Sequence, residues 1–154
     1  MSDIKGLFNE ELIVLNLEAK DDKDAIRQLA NRLFKAGYVK ESFIEAIIER
    51  EANYPTGLSS GDMGVAIPHT DATQVNKAAL AIGILKEPVK FQMMGMPEKS
   101  VYVSLVFMMA IDDPNKHLEM LKTLMNIFQQ HDLLTKLKNA RKLEEVANIF
   151  DNVI

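Results

Sequence analysis

The segment VYVSLVFMMAI, residues 101–111, constrains the fold more than any other part of the chain. It is long, uncharged and rich in β-branched and aromatic residues, which is typical of a strand at the centre of a sheet. It also falls well short of the roughly 20 apolar residues that a membrane-spanning helix requires. We therefore expect a β-sheet with this segment near its middle.

Other segments predict strands and helices that alternate along the chain. Strand-like composition marks residues 11–19, 65–67, 78–85 and 88–92. Apolar residues at helical spacing mark residues 21–36, 40–54, 112–130, 132–140 and 142–150. We interpret residues 55–62 and 93–100 as loops. The alternation predicts an α/β (α+β) fold, a mixed β-sheet flanked by helices on both faces, as a single-domain sandwich over residues 1–154.

Helix-capping residues indicate where two of these helices begin and end. Asp21 or Asp22 can cap the first helix, where acidic residues also suit the helix dipole, and Gly37 ends it. Asp112 or Asp113 can cap the helix that follows the longest strand, with Pro114 at its first position.

Composition excludes several classes of function. The net charge is −4 and the basic residues are scattered, so we do not expect a nucleic-acid-binding protein. The absence of cysteine excludes disulfides, thiolate chemistry and zinc–thiolate sites. The N-terminal sequence MSDIKGLFNEELIVL does not have the pattern of a signal peptide, and no run predicts membrane insertion. We expect a cytoplasmic domain.

The stretch GVAIPHTD, residues 64–71, places a histidine directly after the end of a strand. Val65 and the two residues after it suit a buried strand, but Pro68 cannot donate to a sheet ladder. The strand must therefore stop at Pro68, and His69 must lie on the turn whose entry angle the proline ring sets. A titratable ring held rigidly at a strand end is a candidate for chemistry.

Two further histidines have different settings. His117 falls in the first turns of the helix after the longest strand, and ligand crevices in α/β sheets open at the carboxyl ends of strands. If the strand before His69 runs in the same direction, the two imidazoles can converge. On residue type alone, an ordinary surface or half-buried role suits each of them as well. We expect His131, which follows QQ at a helix end, to cap that helix.

Arg50, near the end of the second helix, is a candidate anion clamp because guanidinium suits phosphate. The alternatives are that it caps the carbonyls of its own helix or pairs with Glu49 or Glu51.

Two other candidate sites are weak. GLSSG, residues 57–61, matches the hydrolase pattern G-x-S-x-G, but a helix precedes it and a strand follows, the reverse of what that motif needs. We interpret the match as accidental. His69, His117 and Asp112 or Asp113 offer zinc-binding side chains, but no two form a helical i,i+4 ligand pair. We expect neither a metal nor a cofactor.

Three stretches together resemble a known family: REANYPTGL, followed by VAIPHT, and later DDPNKHLEMLKTL. The chain is similar to the enzyme IIA components of the bacterial phosphoenolpyruvate-dependent sugar phosphotransferase system, in the mannitol/fructose-type superfamily. The residue pattern of the first stretch and its spacing to the second resemble those of the galactitol-type members. The resemblance runs from the first strand to the last helix.

This resemblance implies a role for each matching residue. His69 corresponds to the phosphorylated histidine, with Nε2 as the reacting nitrogen, and His117 to a second histidine that helps to hold the phosphoryl group. Arg50 corresponds to an arginine near that site. Many relatives have a small residue where this chain has Thr70, whose hydroxyl either donates to the phosphoryl group or caps the following turn.

The resemblance also implies partners. His69 accepts a phosphoryl group from the phosphocarrier HPr and passes it to a separate, galactitol-type enzyme IIB that uses cysteine, and so indirectly to the membrane enzyme IIC. A regulatory relative is the alternative, in which the phosphorylation state of His69 controls a kinase, a transporter or a transcription regulator. A non-catalytic interaction domain follows if His69 is inert. The sequence does not name the sugar.

Overall fold

Two long antiparallel strands form the middle of the sheet. In the computed structural model, which describes residues 5–153, β4 (Ala79–Met93) and β5 (Met96–Ala110) pair along almost their whole length. The turn between them contains Gly95, whose φ of 78° lies in the left-handed region that glycine adopts readily. The central position predicted for residues 101–111 is confirmed.

Three shorter strands complete the sheet. β1 (Phe8–Leu17) runs parallel to β4, and β3 (Met63–Ala66) runs parallel to β5. β2 (Gly57–Ser60) forms an antiparallel hairpin with β3 and also meets the far end of β4. The sheet is therefore mixed, and the carboxyl ends of β3 and β5 lie at the same edge.

Five helices cover the two faces of the sheet. The helices are α1 (Asp22–Lys35), α2 (Ser42–Asn53), α3 (Pro114–Phe128), α4 (His131–Lys138) and α5 (Leu143–Val153). Along β5, Val106 and Met108 belong to the core formed with α1 and α2. Leu105 and Phe107 belong to the core formed with α3, α4 and α5. This alternation, which follows from the period of two in a strand, confirms the predicted arrangement of helices on both faces.

Local capping rules set the helix ends as expected. The Asp21 carboxylate accepts a hydrogen bond of 2.8 Å from the Asp24 backbone N–H at the start of α1. The Asp113 carboxylate accepts one of 3.0 Å from the Lys116 N–H at the start of α3. Gly37, with φ of 88°, follows the end of α1. Asp21 and Asp113 are thus the caps within the two predicted pairs.

Several strand boundaries differ from those predicted. Residues 78–85 and 88–92 are one strand, β4, with an irregularity between Ile84 and Val89, and its partner is β5. The loop predicted at 55–62 contains β2, and most of the loop predicted at 93–100 is the first part of β5. These segments expose many polar side chains, so their strand character comes from backbone pairing and not from apolar composition.

Two 3-10 turns, Lys5–Leu7 and Ala72–Gln74, complete the described secondary structure. Within residues 5–153, no helix has the length and apolar character required to cross a membrane.

Candidate functional site

His69 lies directly beyond the end of β3. The strand ends at Ala66, and the Pro68 carbonyl accepts a hydrogen bond of 3.0 Å from the Met109 N–H of β5. His69 itself forms an isolated parallel bridge with Met109. The strand therefore stops where Pro68 predicted, and β5 holds the backbone that carries the histidine.

A backbone hydrogen bond defines which ring nitrogen of His69 carries the proton. Nδ1 lies 2.9 Å from the carbonyl oxygen of Ile67. Because a carbonyl oxygen can only accept, Nδ1 carries the hydrogen and donates it. Nε2 therefore keeps its lone pair, and the half-buried ring can act as a nucleophile or base at that atom.

His117 lies against His69. β5 ends at Ala110 and α3 begins at Pro114, so the first turn of α3 is carried to the edge of the sheet at which β3 also ends. The two imidazole ring centroids are 5.1 Å apart, and the ring planes meet at 64°. The convergence that the sequence left open is therefore present.

Burial favours the neutral form of both histidines. Burial is the main cause that lowers the pKa of His69, and His117 and Arg50 lower it further against the opposing effect of the Ile67 carbonyl. Burial also lowers the pKa of His117, followed by the charge of Arg50. Both rings therefore favour the unprotonated state, in which a ring nitrogen has a free lone pair.

Arg50 places a positive charge near both histidines. Its guanidinium carbon lies 4.9 Å from the centroid of the Tyr54 ring, a cation–π contact. It forms no ion pair with any carboxylate between residues 5 and 153. Its Nε is buried and has no hydrogen-bond partner in the same range. The pairing with Glu49 or Glu51 is therefore absent, and the buried Nε–H is left without a partner among residues 5–153.

Two buried polar residues behind His69 were not predicted as part of the site. Glu51 is 6% exposed and Thr56 is 3% exposed, and the carboxylate of Glu51 accepts two hydrogen bonds from Thr56. Burial raises the pKa of Glu51 to about 7, although the bonds from Thr56 oppose the shift. The helical spacing of Glu51 to Ile47 and Ile48, both buried, was the sequence signal for its position on the inner face of α2.

Thr70 and His131 differ from their predicted capping roles. Thr70 is half-buried, and among residues 5–153 its hydroxyl has no hydrogen-bond partner, while Asp71 precedes the next turn as its cap residue. Thr70 therefore does not cap that turn. His131 is the first residue of α4 and not a cap at the end of α3; it lies 4.0 Å from a carboxylate oxygen of Asp62. Because α3 already ends at Phe128, the prediction for His131 was wrong.

The other candidate sites do not form. GLSS is strand β2, without the strand–turn–helix geometry of a hydrolase, and the Ser60 hydroxyl donates to the Phe128 carbonyl. Between residues 5 and 153, no three histidine or carboxylate side chains are grouped to hold a metal ion. Four surface clefts of 350 to 480 Å³ are lined by other residues, and neither His69 nor His117 borders them.

Two exposed apolar side chains adjoin residues of the site, one by contact with Arg50 and one as the sequence neighbour of His117. Tyr54, which carries the Arg50 guanidinium, is 65% exposed, and Leu118, next to His117, is 52% exposed. The site therefore combines a half-buried imidazole with a free ring lone pair, a cation and two exposed apolar side chains.

Comparison with known families gives a match over nearly the whole chain. A family model described as "Phosphoenolpyruvate-dependent sugar phosphotransferase system, EIIA 2" matches residues 6–153. The fructose-specific EIIABC component of Bacillus subtilis is 30% identical over 153 residues, which cover 96% of this chain and 23% of that protein. The galactitol-specific EIIA component of Escherichia coli K12 is 29% identical over 117 residues, which cover 76% of this chain and 77% of that protein.

Solved structures give the same fold. The mannitol IIA of E. coli superposes with a TM-score of 0.78 at 25% identity and covers 93% of this chain and 98% of that one. The nitrogen regulatory protein IIA-Ntr of Neisseria meningitidis gives 0.76 at 28% identity, with coverages of 97% and 99%. The E. coli mannitol IIA in complex with phosphorylated IIB gives 0.78 at 23% identity, covering 94% of this chain and 97% of that one.

Proposed function

The chain belongs to the EIIA type-2 family of the phosphoenolpyruvate-dependent sugar phosphotransferase system, and we propose that His69 is the residue that carries its phosphoryl group. EIIA domains are phosphotransferases that act as phosphoryl carriers and partner with EIIB. The observation that supports His69 is its ring geometry. Nδ1 donates to the Ile67 carbonyl, so the lone pair of Nε2 is free to attack phosphorus.

The proposed reaction needs no proton transfer at His69. The Nε2 lone pair forms a bond to the phosphorus of a donor phosphohistidine. The donor P–N bond breaks, and its electron pair returns to the donor imidazole. Nδ1 keeps its proton and its bond to Ile67 throughout. In the second transfer an acceptor thiolate attacks phosphorus, and the electron pair of the Nε2–P bond returns to Nε2.

His117 and Arg50 supply the stabilisation that phosphoryl transfer needs. This reaction depends mainly on positioning and on stabilising charge on the transferring oxygens. His117 lies beside the acceptor ring, and Arg50 faces both histidines with a buried Nε–H that lacks a partner among residues 5–153. We assign Arg50 as the anion clamp and His117 as the group that holds the phosphoryl oxygens. Thr70, next to His69 and with no hydroxyl partner among residues 5–153, is a weaker candidate donor.

The partners follow from the family. We infer that the donor is phospho-HPr and that the acceptor is a separate, cysteine-using EIIB of galactitol type, which passes the group on with the membrane EIIC. The galactitol component is 29% identical over 117 residues. Because the donor is charged from phosphoenolpyruvate, we place this reaction in the cytoplasm. The exposed Tyr54 and Leu118 offer an apolar border of the kind that small, transient interfaces use.

The test is the intact mass of the protein after incubation with phosphoenolpyruvate, enzyme I and HPr at mildly alkaline pH. One added phosphoryl group is expected, acid-labile and absent from His69→Ala. The His131→Ala variant is the matched control, because His131 lies at the start of α4, outside the pair. Equal labelling of His69→Ala and wild type would overturn the assignment of His69.

A regulatory role is the second candidate. The supporting observation is the similarity to the nitrogen regulatory IIA-Ntr protein, at 28% identity over almost all of both chains. In that case His69 is phosphorylated as before, but the phosphorylated protein controls a kinase, a transporter or a transcription regulator by binding it. Transfer of the label from phospho-His69 to a purified galactitol-type EIIB would favour the carrier role. Stable phospho-His69 in its presence would favour the regulatory role.

A further inference from the structure

We propose that Glu51 and Thr56 are positioning residues for His69, acting through the backbone of Ile67. The proposal rests on the proposed role of His69 and adds two residues that do not touch the reacting ring. A set of hydrogen bonds, three of them buried and the last part-buried, joins the Glu51 carboxylate through Thr56 and Ile67 to the His69 imidazole.

The first link fixes Thr56 at two points. Its backbone N–H donates to Oε2 of Glu51, and its hydroxyl donates to Oε1, each at 2.8 Å. Both side chains are almost fully buried, so water does not compete for these bonds. When Glu51 is ionised, the hydroxyl proton of Thr56 therefore points at Glu51, and its oxygen lone pairs point elsewhere.

The second link fixes Ile67. The Ile67 backbone N–H donates to the Thr56 Oγ1 at 3.2 Å, and the Ile67 carbonyl accepts from Nδ1 of His69 at 2.9 Å. Ile67 is thus hydrogen-bonded to Thr56 through its amide and to His69 through its carbonyl. The orientation of that carbonyl sets which nitrogen of His69 keeps the proton.

The sheet itself does not provide this support. The last antiparallel pair between β2 and β3 is Gly57 with Ala66, so the next pair would join Thr56 and Ile67. The following residue, Pro68, has no N–H. The Thr56 side chain takes the place of the missing backbone partner and extends the pairing by one residue, to the position that holds the histidine.

A purely structural role is the competing explanation. Glu51 and Thr56 also connect the end of α2 to the start of β2, so they could merely stabilise that connection. The Glu51 carboxylate bonds to Thr56 and not to Arg50, its neighbour in sequence. A structural role predicts a change in thermal stability alone, whereas positioning predicts a change in the protonation pattern of the His69 ring.

The test compares Thr56→Val with Thr56→Ser. Valine has the shape of threonine but leaves the Ile67 N–H and the Glu51 Oε1 without this partner, whereas serine keeps the hydroxyl. The measurements are the imidazole ¹⁵N shifts of His69, which report the tautomer, and the rate of phosphoryl acceptance from phospho-HPr. Thr56→Val is expected to populate the Nε2–H tautomer and to slow acceptance at least tenfold, while Thr56→Ser stays close to wild type.

The control is Thr123→Val. Thr123 donates its hydroxyl to the Glu119 carbonyl within α3 at 3.0 Å, so the variant also loses one side-chain hydrogen bond, but away from Ile67. It is expected to leave the tautomer of His69 unchanged. A folded Thr56→Val protein with the wild-type tautomer and acceptance rate, or with a lower melting temperature as its single change, would overturn the proposal.

The proposal can still be tested if Thr56→Val does not fold or if wild type accepts no phosphoryl group. If Thr56→Val does not fold, Glu51→Gln tests the same hydrogen bonds. Thr56 donates one bond to each oxygen of Glu51, and in glutamine one of these oxygens is replaced by an amide nitrogen, which cannot accept a hydrogen bond. An unchanged His69 tautomer in Glu51→Gln would then overturn the proposal. If wild type itself accepts no phosphoryl group, the proposed function fails, and the ¹⁵N shifts still decide whether Thr56 positions the ring.

Discussion

The imidazoles of His69 and His117 meet edge to face, with ring centroids 5.1 Å apart and planes at 64°. Burial is the main cause that lowers the pKa of His69, and His117 adds to it because two imidazolium ions this close repel each other. Burial, the largest cause of the lowered pKa values, and the neighbouring charges therefore favour the neutral form of both rings. If His69 carries the phosphoryl group as proposed, that group would add negative charge beside His117 and favour its protonation.

This relationship predicts the behaviour of His117→Ala. Nε2 of His69 keeps its lone pair in the variant, since the bond from Nδ1 to Ile67 does not involve His117. We expect acceptance from phospho-HPr to continue, while transfer to EIIB slows by about 100-fold, the usual effect of losing one group that stabilises developing charge. The measurement is the time course of intact mass with and without EIIB. Failure of His117→Ala to accept any phosphoryl group would contradict the assigned roles.

Two substitutions of Arg50 separate the effect of its positive charge from that of its guanidinium geometry. Arg50→Lys keeps a positive charge but loses the buried Nε–H and the planar fork, whereas Arg50→Gln loses the charge as well. We expect acceptance to slow by about 100-fold in Arg50→Lys and further in Arg50→Gln. Only Arg50→Gln should raise the pKa of His69, as NMR titration will show. A wild-type rate in Arg50→Lys would mean that the position needs charge alone.

The lowered pKa values predict the acid behaviour of the site. An ordinary histidine is half protonated at about pH 6.5. Because burial lowers the pKa of both His69 and His117, each ring should remain mostly neutral at that pH. Protonation of the His69 ring should therefore remove less than half of the accepting form when the pH is lowered from 7.5 to 6.5, and a larger loss of acceptance would point to Glu51, whose pKa is about 7. A ¹H–¹⁵N titration that gave either histidine a pKa above 6.5 would contradict this expectation.

The raised pKa of Glu51 predicts that the protein becomes less stable as the pH rises through neutrality. Burial raises its pKa from 4.5 to about 7. Between these values the native state holds a proton that the unfolded state releases, so the free energy of unfolding falls as the pH rises. At about 1.4 kcal/mol for each unit of pKa, the full effect is about 3 kcal/mol.

Urea unfolding of Glu51→Gln and wild type at pH 5 and pH 8 tests this effect. The free energy of unfolding of Glu51→Gln, relative to that of wild type, should be about 2 kcal/mol higher at pH 8 than at pH 5, since most of the titration of Glu51 lies between these two pH values. The histidines are present in both proteins, so their contribution cancels. A difference that does not change with pH would show that Glu51 does not titrate in this range.

The sequence alone allowed the layout of the fold and the two histidines to be predicted. The layers, the caps at Asp21 and Asp113 and the strand end at Pro68 follow from rules that act over a few residues, and the structure confirms them. The convergence of His69 and His117 followed from the direction of their strands, which the sequence left open.

Other features of the site depend on contacts that local patterns do not carry. β2 is a strand because its backbone pairs with β3, although its composition is that of a polar loop. The sequence allowed an ion pair between Arg50 and Glu51. In the structure, the turn after α2 places Thr56 against the Glu51 carboxylate, and Thr56 donates a hydrogen bond to each of its oxygens.

The sequence by itself determined which chemical groups stand at the strand ends, because proline, capping aspartates and apolar periodicity act locally. Only the tertiary structure decided how these groups are used: which nitrogen of His69 carries the proton, and that Ile67 is held by Thr56. The physical reason is that hydrogen-bond partners and burial are supplied by segments distant in sequence. Ile67 and Thr56 are 11 residues apart, and Met109, which anchors Pro68, lies on another strand.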